Sequence, residues 1–372
     1  MGGCLNYLDY AATSPLRDAA REAMRGAEAW GNPSALYGPG RQAKAALEGA
    51  RAKIAAILGA NPEEIRFTSG GTESDNWALI GAALAHPDKK TLVLSAIEHH
   101  AVLRTAEFLE RFGYRLRKVQ PNARGIIEPA VVEGAMDDDT LLVSVMLANN
   151  EIGTLQPIRE IAALARAHGV PMHTDAVQAV GHLPLDVRAL NCDLLSLSGH
   201  KFGGPRGIGA LYIRKGTKLG AFMHGGSQEQ GLRSGTENVV AAIGMAAALQ
   251  DCCAQEQIRI ERLRDVLQER LFRISGVRVN GAGAPRLAGH LHVSIQGVDP
   301  QLLLIALDLE GVMASAGSAC TSGTRDRSHV LQEMGAPEGE ADLRLTLGYR
   351  TTDADVEQAA ERIARVIDRL RR

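Results

Sequence analysis

Short apolar runs alternate with amphipathic stretches through most of this chain, and that alternation leaves few folds open. Runs at 64–68, 91–95, 114–119, 141–146, 170–178, 193–198 and 208–213 read as strands. Helical spacing occupies 17–29, 41–58, 102–112 and 158–168, and a further helix opens at Thr72. Strands that alternate with helices predict an α/β fold, a mostly parallel sheet covered by helices, with 208–213 closing it. Ligands of such sheets bind in the crevice beyond the carboxyl ends of the strands. Polar residues and glycines collect at those ends here, so chemistry is expected there.

The pattern changes after residue 250. A charged amphipathic helix at 255–274 leads into an alternating strand at 289–295, a short helix at 301–309, a strand at 343–348 and a last helix at 356–370. The expected division is a large domain over 16–252 and a smaller α+β domain from 1–15 and 253–372, and 372 residues are enough for both. A formal charge of −2 offers no basic field for nucleic acid or an anionic membrane. The longest apolar run, 239–249, is short against the ~18 residues of a membrane span. The first residues show no basic-then-apolar leader. Five cysteines without a CxxC spacing imply neither a disulfide framework nor a zinc site, so a reducing cytoplasm is the expected setting.

Three stretches carry chemistry. In Asp193-Leu-Leu-Ser-Leu-Ser-Gly-His-Lys201-Phe-Gly-Gly a strand is released at glycines, which sets Lys201 at a strand exit with His200 beside it. Such an amine suits a Schiff base with a carbonyl cofactor, although most lysines are simply solvated charges. In Phe67-Thr-Ser-Gly-Gly-Thr72-Glu-Ser-Asp-Asn two glycines separate a strand from a helix start. That is a phosphate-type turn, or a plain glycine turn with an N-cap. Asp175 ends the strand at 170–178, where a carboxylate is costly unless paired, and a protonated pyridine nitrogen would pair it. His99 follows another strand end and suits ring stacking, acid–base work or an ordinary core position.

Cys320 is the third. Small residues surround it, and Arg325 and Arg327 stand close enough to favour a thiolate, so it reads either as a mobile nucleophile or as a small buried hydrophobe.

Taken together these stretches resemble the cysteine desulfurases of the NifS/IscS type, pyridoxal-phosphate enzymes of the class V aminotransferase fold. The similarity spans nearly the whole chain: Tyr7-Leu-Asp-Tyr-Ala-Ala-Thr, the Phe67–Asn76 stretch, Asn149-Asn-Glu-Ile-Gly-Thr, His173-Thr-Asp-Ala-Val-Gln178, Ser198-Gly-His-Lys201, Gly231-Leu-Arg-Ser-Gly-Thr-Glu-Asn238 and Gly317-Ser-Ala-Cys320. The resemblance implies a fold-type I transferase with pyridoxal 5'-phosphate linked to Lys201. It assigns the phosphate to Gly71, Thr72, Ser198 and His200, with Thr236 lent by the partner subunit of a homodimer. Asp175 would pair with the ring nitrogen, Gln178 with the ring hydroxyl, and His99 would stack on the ring and serve catalysis. Asn150 and Arg344 would hold L-cysteine, Arg344 by its carboxylate, and Cys320 would carry the persulfide to a sulfur-acceptor protein such as an iron–sulfur scaffold or a thiolation protein. A selenocysteine lyase or an aminotransferase on the same scaffold is the alternative, and a non-catalytic scaffold protein a third reading. Ala316 stands where the family usually has serine, and Tyr349 where it usually has arginine.

Overall fold

The computed structural model describes residues 5–27, 30–317 and 328–372. Strand β1 (Asn6–Tyr7) precedes helices α1 (Asp18–Arg25) and α2 (Gly38–Leu58). The α/β run follows: β2 (Ile65–Thr68), α3 (Gly71–Ala85), β3 (Thr91–Ser95), α4 (His100–Glu110), β4 (Arg115–Val119), α5 (Pro129–Ala135), β5 (Thr140–Ser144), α6 (Ile158–Ala167), β6 (Met172–Asp175), α7 (Val187–Leu190), β7 (Leu194–Ser198) and β8 (Gly209–Ile213). Helices α8 (Val239–Asp251) and α9 (Ala254–Phe272) lead to β9 (Val277–Val279), β10 (His290–Ile295), α10 (Pro300–Leu309), β11 (Val312–Met313), α11 (His329–Glu333), β12 (Ala341–Thr346) and α12 (Asp353–Leu370).

Seven strands form the main sheet in the order β2-β8-β7-β6-β5-β3-β4. All are parallel except β8, which runs against both of its neighbours. The expectation that this strand closes the sheet is therefore corrected: β8 lies inside it, with β2 on its outer side in the register Ile65↔Tyr212 to Thr68↔Gly209. A run of apolar residues marks a strand but carries no information about which strand lies next to it. Helices cover both faces, so β3, β5 and β7 are buried along their whole length, as parallel strands usually are. Alternate residues serve opposite faces: Val93 packs into the cluster that holds Leu47 and Ile54 of α2 and Met245 of α8. Leu92 and Leu94 pack into the cluster with Trp77 of α3 and Val102 of α4.

A separate core gathers Leu8 with residues from 260 onward. Ile260, Leu263, Leu267 and Leu271 recur at helical spacing on α9 and share that core with Val356, Ile363 and Ile367 of α12. Helix α9 packs against the antiparallel β12-β10-β9 sheet, and α12 packs against α9 and α10. Strand β1 pairs in parallel with β11, which ties the chain start to this second core. The Arg17 guanidinium bridges the two regions. It pairs with Glu256 at the start of α9 at 2.7 Å and donates to the Phe202 carbonyl, beside Lys201, at 2.9 Å.

Candidate functional site

A cavity of about 260 Å³ opens beyond the carboxyl ends of the parallel strands. Every site residue expected from sequence lines it except Thr236, which is exposed and not among the lining residues, and Cys320, which lies outside the described residues.

One wall is the start of α3. The first amides of a helix have no partner within it and carry its positive dipole end, so Gly71 and Thr72 present a ready anion site. Glycine is required at 71 by space: a Cβ there would sit 2.6 Å from Val177 Cγ2. Against this turn stands Ser198, the last residue of β7, and His200 lines the cavity as well. Burial, with the Lys201 and Arg206 charges, lowers His200 to about 4, so its imidazole is neutral; Nδ1 lies 3.2 Å from Thr13 Oγ1.

Lys201 follows in the tight turn Gly199–Phe202. Its Nζ donates to the carbonyls of Ala11 at 2.5 Å and Ala12 at 3.1 Å. Its own carbonyl accepts from Ser14 Oγ at 2.7 Å and meets His182 Nε2 at 3.1 Å, so the main chain behind the amine is pinned on two sides. Gln178 Nε2 shares the Ala11 carbonyl at 3.0 Å.

Asp175 ends β6 inside the cavity, where its Oδ1 accepts from the Val177 amide at 2.8 Å. Burial raises its carboxyl, and the Val177 amide and the Lys201 charge oppose that rise. His99 caps α4, its Nδ1 accepting from the Ala101 amide at 3.1 Å, which leaves the ring proton on Nε2. Burial, then the Lys201, His100 and His329 charges, lowers its pKa to about 4, so it too is neutral.

At the other end, Arg344 of β12 is 2% exposed. Nη2 pairs with Asp9 at 2.8 Å and Nη1 donates to the Asn150 carbonyl at 3.1 Å, while Nε and the Asn150 side-chain oxygen have no partner among the described residues. Two buried donor–acceptor groups without partners, side by side in a cavity, suit a ligand that carries both a carboxylate and an amine. Tyr349 is packed rather than open: the Arg17 guanidinium stacks 4.3 Å over its ring, and its hydroxyl donates to the Pro15 carbonyl at 3.3 Å. A cation therefore still stands at this place, but on residue 17.

The sequence reading missed Asp9, Asp75, Glu98 and Glu151 as members of this site. All except Asp9 are fully buried acids. Glu98 Oε1 accepts from Ser95 Oγ and the Met146 amide, and Glu151 pairs with Ser328. Asp9, Asp75 and Glu151 lie inside stretches quoted above and Glu98 directly precedes His99, and an acid in an otherwise apolar strand-end stretch was the available signal.

Comparison with known proteins agrees with this geometry. Residues 6–359 match the family model described as Aminotransferase class-V. "Cysteine desulfurase IscS" of Methanosarcina thermophila is 46% identical over 373 residues, covering 98% of this chain and 92% of that one. The solved structure titled "NIFS-LIKE PROTEIN" superposes with a TM-score of 0.92 at 34% identity, covering 99% of this chain and 100% of the other. Another, "SspA in complex with cysteine", gives 0.84 at 35% identity, with 93% and 100% covered. The chain belongs to the class-V aminotransferase family, among its cysteine desulfurases.

Proposed function

We propose that the side chains lining the cavity bind pyridoxal 5'-phosphate and L-cysteine in the roles read from the sequence. The enzyme is a pyridoxal-phosphate-dependent cysteine desulfurase: L-cysteine becomes L-alanine, and its sulfur leaves on the enzyme as a persulfide. When bound, the cofactor supplies an electron sink for charge developing at the substrate Cα. The residues present fit it. A glycine-walled helix start suits a phosphate, a carboxylate buried at a strand end suits a pyridine N–H, and a lysine amine lines the same cavity.

Gly71, Thr72, Ser198 and His200 hold the phosphate, and Asp175 accepts the ring N–H. Gln178 would meet the ring hydroxyl, and neutral His99 would stack on the ring, with its Nε2 proton available to the reacting centre. Lys201 Nζ would hold the cofactor carbonyl and would serve as the base that moves the proton at the substrate Cα. Arg344 and Asn150 orient the substrate by its carboxylate, a fit for a planar guanidinium already fixed by Asp9. Cys320, within the small-residue stretch that follows Gly317, takes the sulfur.

The single observation that carries these roles is that Lys201, Asp175 and the start of α3 open onto one cavity. The test is release of alanine from L-cysteine without any keto-acid acceptor. Lys201→Ala is expected to lose both that activity and the visible absorbance of the cofactor-loaded protein. Wild-type turnover in Lys201→Ala would sink the assignment.

The active unit is a homodimer in which Thr236 reaches the neighbour's phosphate, a reading supported by its exposure and by its not lining its own chain's cavity. Residues 16–252 form the large domain, and 1–15 with 253–372 the small one. The second core around Leu8 and α9 supports that division. The sulfur passes to an acceptor protein, an iron–sulfur scaffold or a thiolation protein, in the cytoplasm. Free Cys192, Cys252 and Cys253 suit a reducing compartment, and no helix among the described residues is long and apolar enough to cross a membrane.

A further inference from the structure

Behind Asp175 lies a second carboxyl that none of the roles above uses. Asp75 stands in the first turns of α3, lines the same cavity and is 1% exposed. Polar side-chain atoms of Asp75, Asp175 and His99 all lie within 4.8 Å of one another. Asp75 Oδ1 receives no hydrogen bond from any described residue.

Among the described residues, the groups facing Asp75 offer it no balancing charge. From β6 come Asp175 and His173, from β7 comes Ser196, and the segment between β3 and α4 brings Glu98 and His99. His173 Nε2 is 3.6 Å from Asp75 Oδ1, yet it is no counter-ion. Its Nδ1 lies 2.8 Å from Ser144 Oγ and its Nε2 3.0 Å from Ser196 Oγ, and burial lowers it to about 3. His99 is neutral as well. Lys201 acts on Asp175, while the like charge acting on Asp75 near neutrality is that of Asp175; Glu98 adds repulsion only once it ionises, and burial raises it to about 8. Two like charges this close in a dry interior do not both persist; one takes a proton.

We propose that Asp75 is held as a neutral carboxylic acid beside ionised Asp175, a positioning residue that keeps the pair at a single negative charge, so that the cofactor's ring nitrogen meets one anionic partner throughout the neutral pH range. This rests on the reading of the cavity as a pyridoxal-phosphate site. The direction agrees with the forces on the group: burial pushes Asp75 well up, Asp175 pushes it further, and the Ser196 hydroxyl only partly opposes them. Oδ1, which accepts nothing, is free to carry the proton. Asn at this position would imitate the neutral acid, with an N–H where the O–H stood.

The decisive measurement is infrared spectroscopy of the cofactor-free protein, which needs no turnover and so separates failure of this proposal from failure of the functional reading. The difference spectrum of wild type minus Asp75→Asn, at about pH 7.5, is expected to show loss of a protonated carboxyl C=O stretch. Loss of carboxylate stretches instead would overturn the proposal. Should Asp75→Asn not fold, wild-type protein labelled with carbon-13 at aspartate isolates the same band from Glu98 and Glu151. That band must persist at neutral pH and decline only above it, and an aspartate signal without an acid band at neutral pH overturns the idea equally. Cofactor titration gives the functional arm: Asp75→Asn should bind pyridoxal phosphate within about threefold of wild type, whereas a tenfold loss would mean that a charge at Asp75 is needed.

Discussion

At the scale of single residues, the site is set by which buried acids keep their protons. Glu98 is completely buried, with Oε1 held by Ser95 and the Met146 amide and Oε2 without a partner. Burial pushes its pKa up to about 8, and Asp175 adds to the rise. In the unfolded chain the same group loses its proton near about 4.3. Between those values the folded chain binds more protons than the unfolded one, so this residue makes stability fall as pH rises, by up to about 1.4 kcal/mol per pH unit. Glu98→Gln keeps the acceptor oxygen and removes the titration. Melting temperatures of cofactor-free protein should therefore drop between about pH 6 and pH 8 more steeply in wild type than in Glu98→Gln. Parallel slopes for the two proteins would show that Glu98 does not hold its proton through neutrality. None of this was legible in the sequence, where Glu98 is one acid beside two histidines. Its protonation depends on Met146 and Asp175, which approach it only once β3, β5 and β6 lie side by side.

Among elements, the start of α3 carries the most function per residue. Gly71 has Val177 against it, so the turn after β2 and the loop after β6 interlock at one missing side chain. A Cβ 2.6 Å from Val177 Cγ2 has to displace either Val177 or the first turn of α3, and both line the cavity. Gly71→Ala is therefore expected to weaken cofactor binding by tenfold or more, with a stability loss of about 1–3 kcal/mol from overpacking. Trimming the neighbour should relieve it, so Gly71→Ala with Val177→Ala should recover most of the affinity in a titration of the cofactor-free protein. An unchanged affinity in Gly71→Ala alone would contradict the interlock. The strand–glycine–helix transition here, like the strand exit at Lys201, was readable because punctuation by glycine is a local signal. Helix and strand positions were readable for the same reason, through local periodicity. The place of β8 inside the sheet was not, because strand order is decided by long-range packing. Nor was the cation stacked on Tyr349, since its source, Arg17, lies more than three hundred residues away in the chain.

For the whole molecule, the cavity draws on both cores: Lys201 and Asp175 come from the main sheet, and Arg344 from the strand that pairs with β10 in the second. Arg17 ties the Lys201 turn to α9, so the two regions meet behind the amine. What one chain does not supply to its own cavity is Thr236, exposed in a polar loop just ahead of α8. If that hydroxyl serves the neighbour's phosphate, each site consists of Lys201 from one subunit and Thr236 from the other, and a two-fold dimer has two such sites. Two inactive variants then repair each other. Lys201→Ala removes the amine, and Thr236→Glu sets a negative charge against the phosphate. In a mixed dimer one site receives both defects and the other receives neither. Equal amounts of the two proteins, denatured and refolded together, give half mixed dimers at random pairing, each with one intact site, so about a quarter of wild-type activity should return. If Thr236 served its own chain, every site in the mixture would carry one defect and no activity would return. Absence of recovery from a mixture shown by mass spectrometry to contain mixed dimers, or full activity from a protein that stays monomeric, would rule out the shared site.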